Sequence, residues 1–146
     1  MPSSYPHLTV ATVVQRGEQF LLVQEFSNGE LVYNQPAGHV EPGESLIEAA
    51  LRETLEETAW DVELQGIIGL SKYIAPSNGV SYHRTTFIAK PLLHHSEQAL
   101  DDGIVDAVWM NLDEMRANES KMRSPLVIKS VEQYLSGSQY PLEIIY

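Results

Sequence analysis

Apolar residues recur along this chain in short runs broken by turn-forming residues. Leu8 to Val14 is rich in β-branched residues, and Phe20 to Val23 is a second apolar run. Arg16-Gly17-Glu18 between them reads as a hairpin turn. From Ser27 to Gly43 the sequence is rich in Asn, Gly and Pro and reads as a loop, interrupted by the brief strand-like Leu31-Val32-Tyr33. Further strand-like runs follow at Val62 to Leu70, Tyr82 to Ala89 and Ile104 to Met110. Helical spacing is clearest over Ser45 to Thr58, where Ser45 and Glu48 make an S-x-x-E capping box behind Pro42-Gly43. A weak helix is expected at Leu112 to Ala117 and a better one at Pro125 to Leu135. Strands alternating with two or three helices predict an α/β sandwich on a mixed sheet.

A length of 146 residues fits one domain, residues 1–146, and no repeat or low-complexity linker divides it. The composition, 43% hydrophobic and 20% charged, is that of a chain with a packed core. Met1 to Pro6 carries no basic and apolar leader pattern, and no apolar run reaches the roughly 20 residues of a membrane span. The absence of cysteine removes thiolate chemistry and fits a reducing, cytoplasmic location. A formal net charge of −11 disfavours long nucleic acids, whose phosphates it would repel. It leaves small phosphorylated molecules open where divalent cations screen the charge.

On a wheel of about 100° per residue, Ile47, Ala50, Leu51, Thr54, Leu55 and Thr58 gather on one side of the long helix and are expected to face the sheet. Glu53, Glu56 and Glu57 fall beside that stripe at i, i+3 and i+4, with Ala49 one turn earlier leaving room next to them. Three like charges so spaced repel, and hard divalent ions such as Mg²⁺ or Mn²⁺ relieve the repulsion through oxygen ligands. The plain alternative is a solvated acidic face, with Arg52 pairing to Glu56 and Glu48 across one turn. The wheel does not choose between them.

The order of the residues does. Gly38, Glu44, Arg52, Glu53, Glu56 and Glu57 fit G-x5-E-x7-R-E-U-x-E-E-x-G-U, with U aliphatic, and a glycine loop opens into a capped helix at the required place. The chain therefore resembles the Nudix hydrolase family. Thr54 stands where an aliphatic residue is usual, and Ala59 where the last glycine belongs. The resemblance implies the Nudix α/β/α sandwich and a site of Glu53, Glu56 and Glu57, with the Gly38 carbonyl, holding one to three divalent ions. It implies Mg²⁺, with Mn²⁺ able to substitute, and Glu53 helping to orient or deprotonate the attacking water. Arg52 would hold a neighbouring glutamate, and Glu44 would pin the loop.

Asn34-Gln35-Pro36-Ala37-Gly38-His39, Arg123-Ser124-Pro125-Leu126 and Tyr140-Pro141-Leu142-Glu143 are similar to the phosphatase NudJ subgroup of that family. That likeness implies release of orthophosphate from nucleoside tri- and diphosphates, and hydrolysis of hydroxymethylpyrimidine pyrophosphate. Alternatives are a Nudix enzyme of other specificity (dinucleoside polyphosphates, nucleotide sugars or oxidised nucleotides) and a non-catalytic nucleotide-binding domain. A monomer and a homodimer are both compatible with the sequence.

Other positions carry open readings. Arg84, mid-strand among apolar neighbours, either contacts a substrate phosphate or faces outward. Arg123 opens a loop before a helix that Ser124 can cap, and the helix start either favours phosphate or is a simple cap. The resemblance implies an additional acidic ligand or base just before Trp109, for which Asp102, among Asp101, Asp102 and Asp106, is the nearest fit, with a solvated turn as the alternative. Tyr33, Tyr73 and Trp109 are candidates to stack on a base, with a core role as the alternative. His39 is expected near the cleft, and His94-His95 are expected to be exposed rather than metal ligands.

Overall fold

The computed structural model describes residues 5–146. Met1 to Ser4, part of the segment read above as lacking a leader, lie outside the described residues. The described residues form β1 (His7–Arg16), β2 (Gln19–Ser27), β3 (Glu30–Asn34), β4 (Ala37–His39), α1 (Leu46–Thr58), β5 (Trp60–Ile74), β6 (Ser81–His94), β7 (Ile104–Asn111), α2 (Leu112–Ala117) and α3 (Leu126–Leu135). The strands make one seven-stranded mixed sheet with the path β3-β2-β1-β6-β5, β4 joining β1 and β7 joining β2. Among the described strand pairs only β1–β6 is parallel.

Strand β1 is buried from Thr9 to Val14, which is why it reads as a continuous apolar run rather than an alternating one. Its side chains still alternate between faces. Val10 and Val14 pack with Ala49 and Ala50 of α1 and with Phe87 of β6, while Val13 packs with Ile88, Met115 of α2, and Val127 and Val131 of α3. Helices thus cover both faces, and each apolar layer exists because adjacent residues of one strand point opposite ways. Among the described residues no helix is long and apolar enough to cross a membrane.

Two expectations about the 27–43 segment are corrected. Asn28 and Gly29 both have positive φ, 52° and 79°, the backbone of a tight Asn-Gly hairpin that joins β2 to a β3 longer than Leu31–Tyr33. Ala37–His39 is a strand, antiparallel to β1 through Thr9↔His39, Val10↔Gly38 and Ala11↔Ala37. Small residues give it no strand propensity; the free edge of β1 imposes it.

The buried stripe of α1 is also rotated from the expected one. Ala49, Ala50, Thr54, Glu57 and Thr58 are buried, whereas Leu51 is exposed. The helix turns the Glu53–Glu57 side inward toward β4, which leaves Leu51 outside. Thr54 fills the aliphatic position of the motif by bonding inside the core, its hydroxyl lying 2.7 Å from the Ala50 carbonyl and 3.0 Å from the Thr12 hydroxyl.

The capping box at Ser45 and Glu48 is formed, with bonds of 3.0 and 3.1 Å. Glu48 is thus used in the cap, and not in the pairing with Arg52 that a solvated acidic face would give it. At the other end Ala59 takes the left-handed conformation, φ 62°, and its N–H donates to the Leu55 carbonyl at 2.9 Å. A Cβ in that region costs about 1–2 kcal/mol. Ala59→Gly is therefore expected to stabilise the fold by about 1 kcal/mol, read as a higher urea midpoint with unchanged slope. An unchanged or lower midpoint would mean that the buried Ala59 methyl contributes as much packing as its backbone costs.

Candidate functional site

The glutamates of α1 stand over β4, and the contact is made possible by a missing side chain. A Cβ placed on Gly38 would fall on the carboxyl group of Glu53. Glu57, one turn further on, is only 8% exposed and accepts the Ala37 N–H at 2.9 Å. Burial pushes its carboxyl up to about 8, and the charges of Glu25, Glu53 and Asp101 add to the effect against the Ala37 hydrogen bond. Glu53 is likewise raised, by burial first, despite the opposing bond from Arg52.

Arg52 organises the loop before the helix. It forks onto Glu44 at 2.6 and 2.9 Å, reaches Glu53 at 2.9 Å and Glu56 at 3.2 Å, and donates to the His39 carbonyl at 3.1 Å. Glu44 also accepts the Glu41 N–H at 3.0 Å. The hydrogen bond from Arg52, followed by that from the Glu41 backbone, draws the Glu44 carboxyl down to about 2, and Glu44 in turn raises the guanidinium above its ordinary value. Arg52 thus bonds Glu44, Glu53 and Glu56 together, and Glu44 in turn bonds the loop backbone at Glu41.

Below these acids opens a cavity of about 520 Å³, lined among others by Gly38, Glu57, Glu25, Arg84, Arg123 and Tyr73. Glu25, from β2, escaped the sequence reading. It is 9% exposed, accepts Arg123 Nη1 at 2.7 Å and lies 3.4 Å from the Asn34 amide. The available signal was an acid following the buried Phe20–Val23 run on the same strand parity as Leu21 and Val23, a place where a charge is retained only with partners. Gln35, 1% exposed, was likewise missed: it was quoted within a motif, with no role of its own.

Other candidates divide. Arg84 does not face outward; it is buried and lines the cavity. Arg123 lines it as well, while Ser124 accepts the Leu126 N–H at 3.2 Å, at the start of α3. Asp102 is exposed and does not line the cavity. The neighbouring Asp101 is the aspartate whose charge reaches Glu53 and Glu57, because its N–H bonds to the Glu56 carbonyl at 3.0 Å.

Tyr33 packs against the α3-side core and Trp109 against the α1-side core, so Tyr73 and Tyr82 are the aromatic residues at the cavity. His39 lies at its rim, 2.9 Å from His7, and is lowered by burial and then by the charge of His7. The exposed His94 stacks on Trp60, and half-buried His95 bonds Asp61 at 2.6 Å.

The α1 carboxylates are donors for a hard cation, and the buried Glu57 forms no ion pair among the described residues. Among the described residues, however, no three acidic or histidine side chains converge closely enough to chelate an ion unaided. Arg52 occupies oxygens of Glu53 and Glu56, and the Ala37 N–H occupies Glu57. An ion such as Mg²⁺, which keeps waters and takes substrate phosphates, fits an arrangement of this kind.

The sequence profile of the NUDIX domain matches residues 5–129. The chain belongs to the Nudix family. It is 41% identical over 140 residues to phosphatase NudJ of Escherichia coli strain K12, covering 96% of this chain and 90% of that protein. A solved Nudix hydrolase from Nitrosomonas europaea superposes with a TM-score of 0.95 at 41% identity, with 97% of each chain covered. An Ap4A hydrolase from C. elegans shares the fold at TM-score 0.66 and 22% identity, covering 90% of this chain and 98% of that one. The protein is thus a Nudix hydrolase and a homologue of phosphatase NudJ, and Nudix hydrolases use a divalent metal on small-molecule substrates.

Proposed function

We propose that this Nudix hydrolase uses Mg²⁺ to release orthophosphate from nucleoside tri- and diphosphates, and that it also hydrolyses hydroxymethylpyrimidine pyrophosphate. The likeness to phosphatase NudJ over 96% of the chain carries this reading. The acid-floored cavity with two arginines supports it, since that pairing suits a polyphosphate whose charge is met at both ends.

Glu53, Glu56 and Glu57 and the Gly38 carbonyl would hold the ion. When bound, Mg²⁺ neutralises the phosphoanhydride and makes an attacking water more acidic. The remaining work falls to the chain. Arg52, fixed by Glu44, holds Glu53 over Gly38. Glu53, so held, is placed to accept the water's proton as the oxygen attacks phosphorus. The bond from that phosphorus to the bridging oxygen breaks, and its electron pair leaves with the nucleotide or pyrimidine phosphate. Glu57 is held in place by Ala37 and needs a cation beside it to ionise at neutral pH.

The test is a panel of nucleoside di- and triphosphates and hydroxymethylpyrimidine pyrophosphate, with and without Mg²⁺, with orthophosphate and pyrophosphate assayed separately. Mg²⁺-dependent orthophosphate release is expected. Pyrophosphate as the product would overturn the subgroup reading, and no turnover of any member would overturn the substrate class.

A further inference from the structure

Arg84 is a cation in a place that disfavours one. It is 8% exposed, and burial alone lowers its guanidinium to about 10. Among the described residues no carboxylate forms an ion pair with it, whereas Arg123 in the same cavity is matched by Glu25. Among the described residues its side-chain bonds are both to neutral oxygens: Nη2 to Gln35 Oε1 at 2.6 Å and Nε to Thr86 Oγ1 at 3.3 Å. Arg84 therefore keeps its full charge and guanidinium protons that these two bonds do not use.

Gln35 explains how such a cation is held. Its side chain is fully buried and fixed from the other end, Nε2 donating to the Val127 carbonyl of α3 at 2.6 Å. A glutamate there would hold the guanidinium as well and cancel its charge; glutamine holds it and leaves the charge intact. The sheet sets the distance. Thr9 of β1 pairs with His39 on one side and with Arg84 on the other. The Arg84 backbone thus lies two strand spacings, about 10 Å, from the residue next to Gly38.

We propose that Arg84 is a second phosphate-binding element, taking a phosphoryl oxygen away from the α1 acids, and that Gln35 is the positioning residue that keeps it unneutralised. A carbonyl oxygen would bond the guanidinium but leave its charge uncompensated, so the geometry calls for an anion. The inference rests on the phosphohydrolase reading of the same cavity and adds to it the group that meets the far end of the polyphosphate.

Orthophosphate titrated calorimetrically into metal-free protein tests it apart from turnover. The wild type is expected to bind, and Gln35→Glu and Arg84→Gln each to bind about tenfold more weakly, as for the loss of one charge-assisted bond. With Gln35→Leu, which adds no charge, the double variant should be no weaker than Arg84→Gln alone, because Gln35 acts through Arg84. For whichever substrate turns over, Gln35→Glu should raise KM by about tenfold with kcat within about twofold, the pattern of lost uniform binding.

Wild-type protein that fails to bind orthophosphate, or an Arg84→Gln variant that binds it normally, overturns the proposal. Additive losses in the double variant overturn the role of Gln35. If Gln35→Glu does not fold, Arg84→Gln alone still decides whether the anion is held there. Orthophosphate binding that depends on Arg84 in a protein turning over none of the panel would sink the substrate reading and leave this element standing. Turnover with Arg84-independent binding would do the reverse.

Discussion

Glu57→Gln is expected to cut turnover at least about 100-fold, since even outer-shell partners of a metal are worth 10–100-fold, while making the metal-free protein more stable at pH 8. Both effects come from one buried carboxyl. In the fold it is raised to about 8 from an ordinary 4.5, chiefly by burial. A carboxyl raised in the folded state contributes stability that is fully present below its unfolded value and is lost as pH climbs through its folded one. The penalty on the wild type therefore grows between about pH 4.5 and 8. At full development it is on the order of 4 kcal/mol.

Glutamine stays neutral across that window and can still accept the Ala37 N–H. The variant should unfold roughly 10 °C higher than the wild type at pH 8 without metal, and at nearly the same temperature at pH 5. Adding Mg²⁺ should raise the wild-type midpoint by mass action and leave the variant's almost unmoved. Thermal unfolding at the two pH values, with and without Mg²⁺, checks this. A variant less stable than the wild type at pH 8, or one retaining a tenth of its turnover, would show that Glu57 is a structural acid.

How far such a site could be read beforehand depends on whether its signal is local. The capping box and the spacing of Glu53, Glu56 and Glu57 lie within one loop and one helix, and both were legible. So were the strands whose apolar runs record burial on both faces. What the sequence did not disclose depends on contacts between distant segments. Ala37–His39 is a strand because β1 offers an edge, and no residue in it favours that state. Glu25 meets Arg123 from 98 positions away, and Gln35 meets Arg84 from 49. The choice between Asp101 and Asp102 turns on one hydrogen bond to the end of α1. Position in the chain gives no hint of these meetings, so the α1 glutamates and the cavity residues Arg84, Arg123, Tyr73 and His39 could be singled out beforehand, whereas Glu25 and Gln35, which hold the two arginines, could not.

Gly38→Ala is expected to lower kcat/KM by about 100-fold, the cost typical of misplacing a reacting group by an ångström. The motif glycine invites an explanation by backbone conformation, yet Gly38 is not among the residues with positive φ, so alanine meets no backbone strain. Its constraint is space, because the new Cβ would fall on the Glu53 carboxyl. Glu53 must then swing away, breaking the 2.9 Å hold of Arg52 or dragging that arginine off Glu44. Overpacking of this kind also destabilises by about 1–3 kcal/mol.

The steric origin makes a second result obligatory. In a protein already carrying Glu53→Ala, there is no carboxyl to collide with, so adding Gly38→Ala should cost almost no further stability. Urea unfolding of the two single variants and the double one measures the coupling directly. A Gly38→Ala penalty that persists in the double variant would place the constraint in the backbone of β4. A Gly38→Ala enzyme with normal kcat/KM would remove Glu53 from the reaction, because no rotamer change that clears the methyl can leave its carboxylate where Arg52 now holds it.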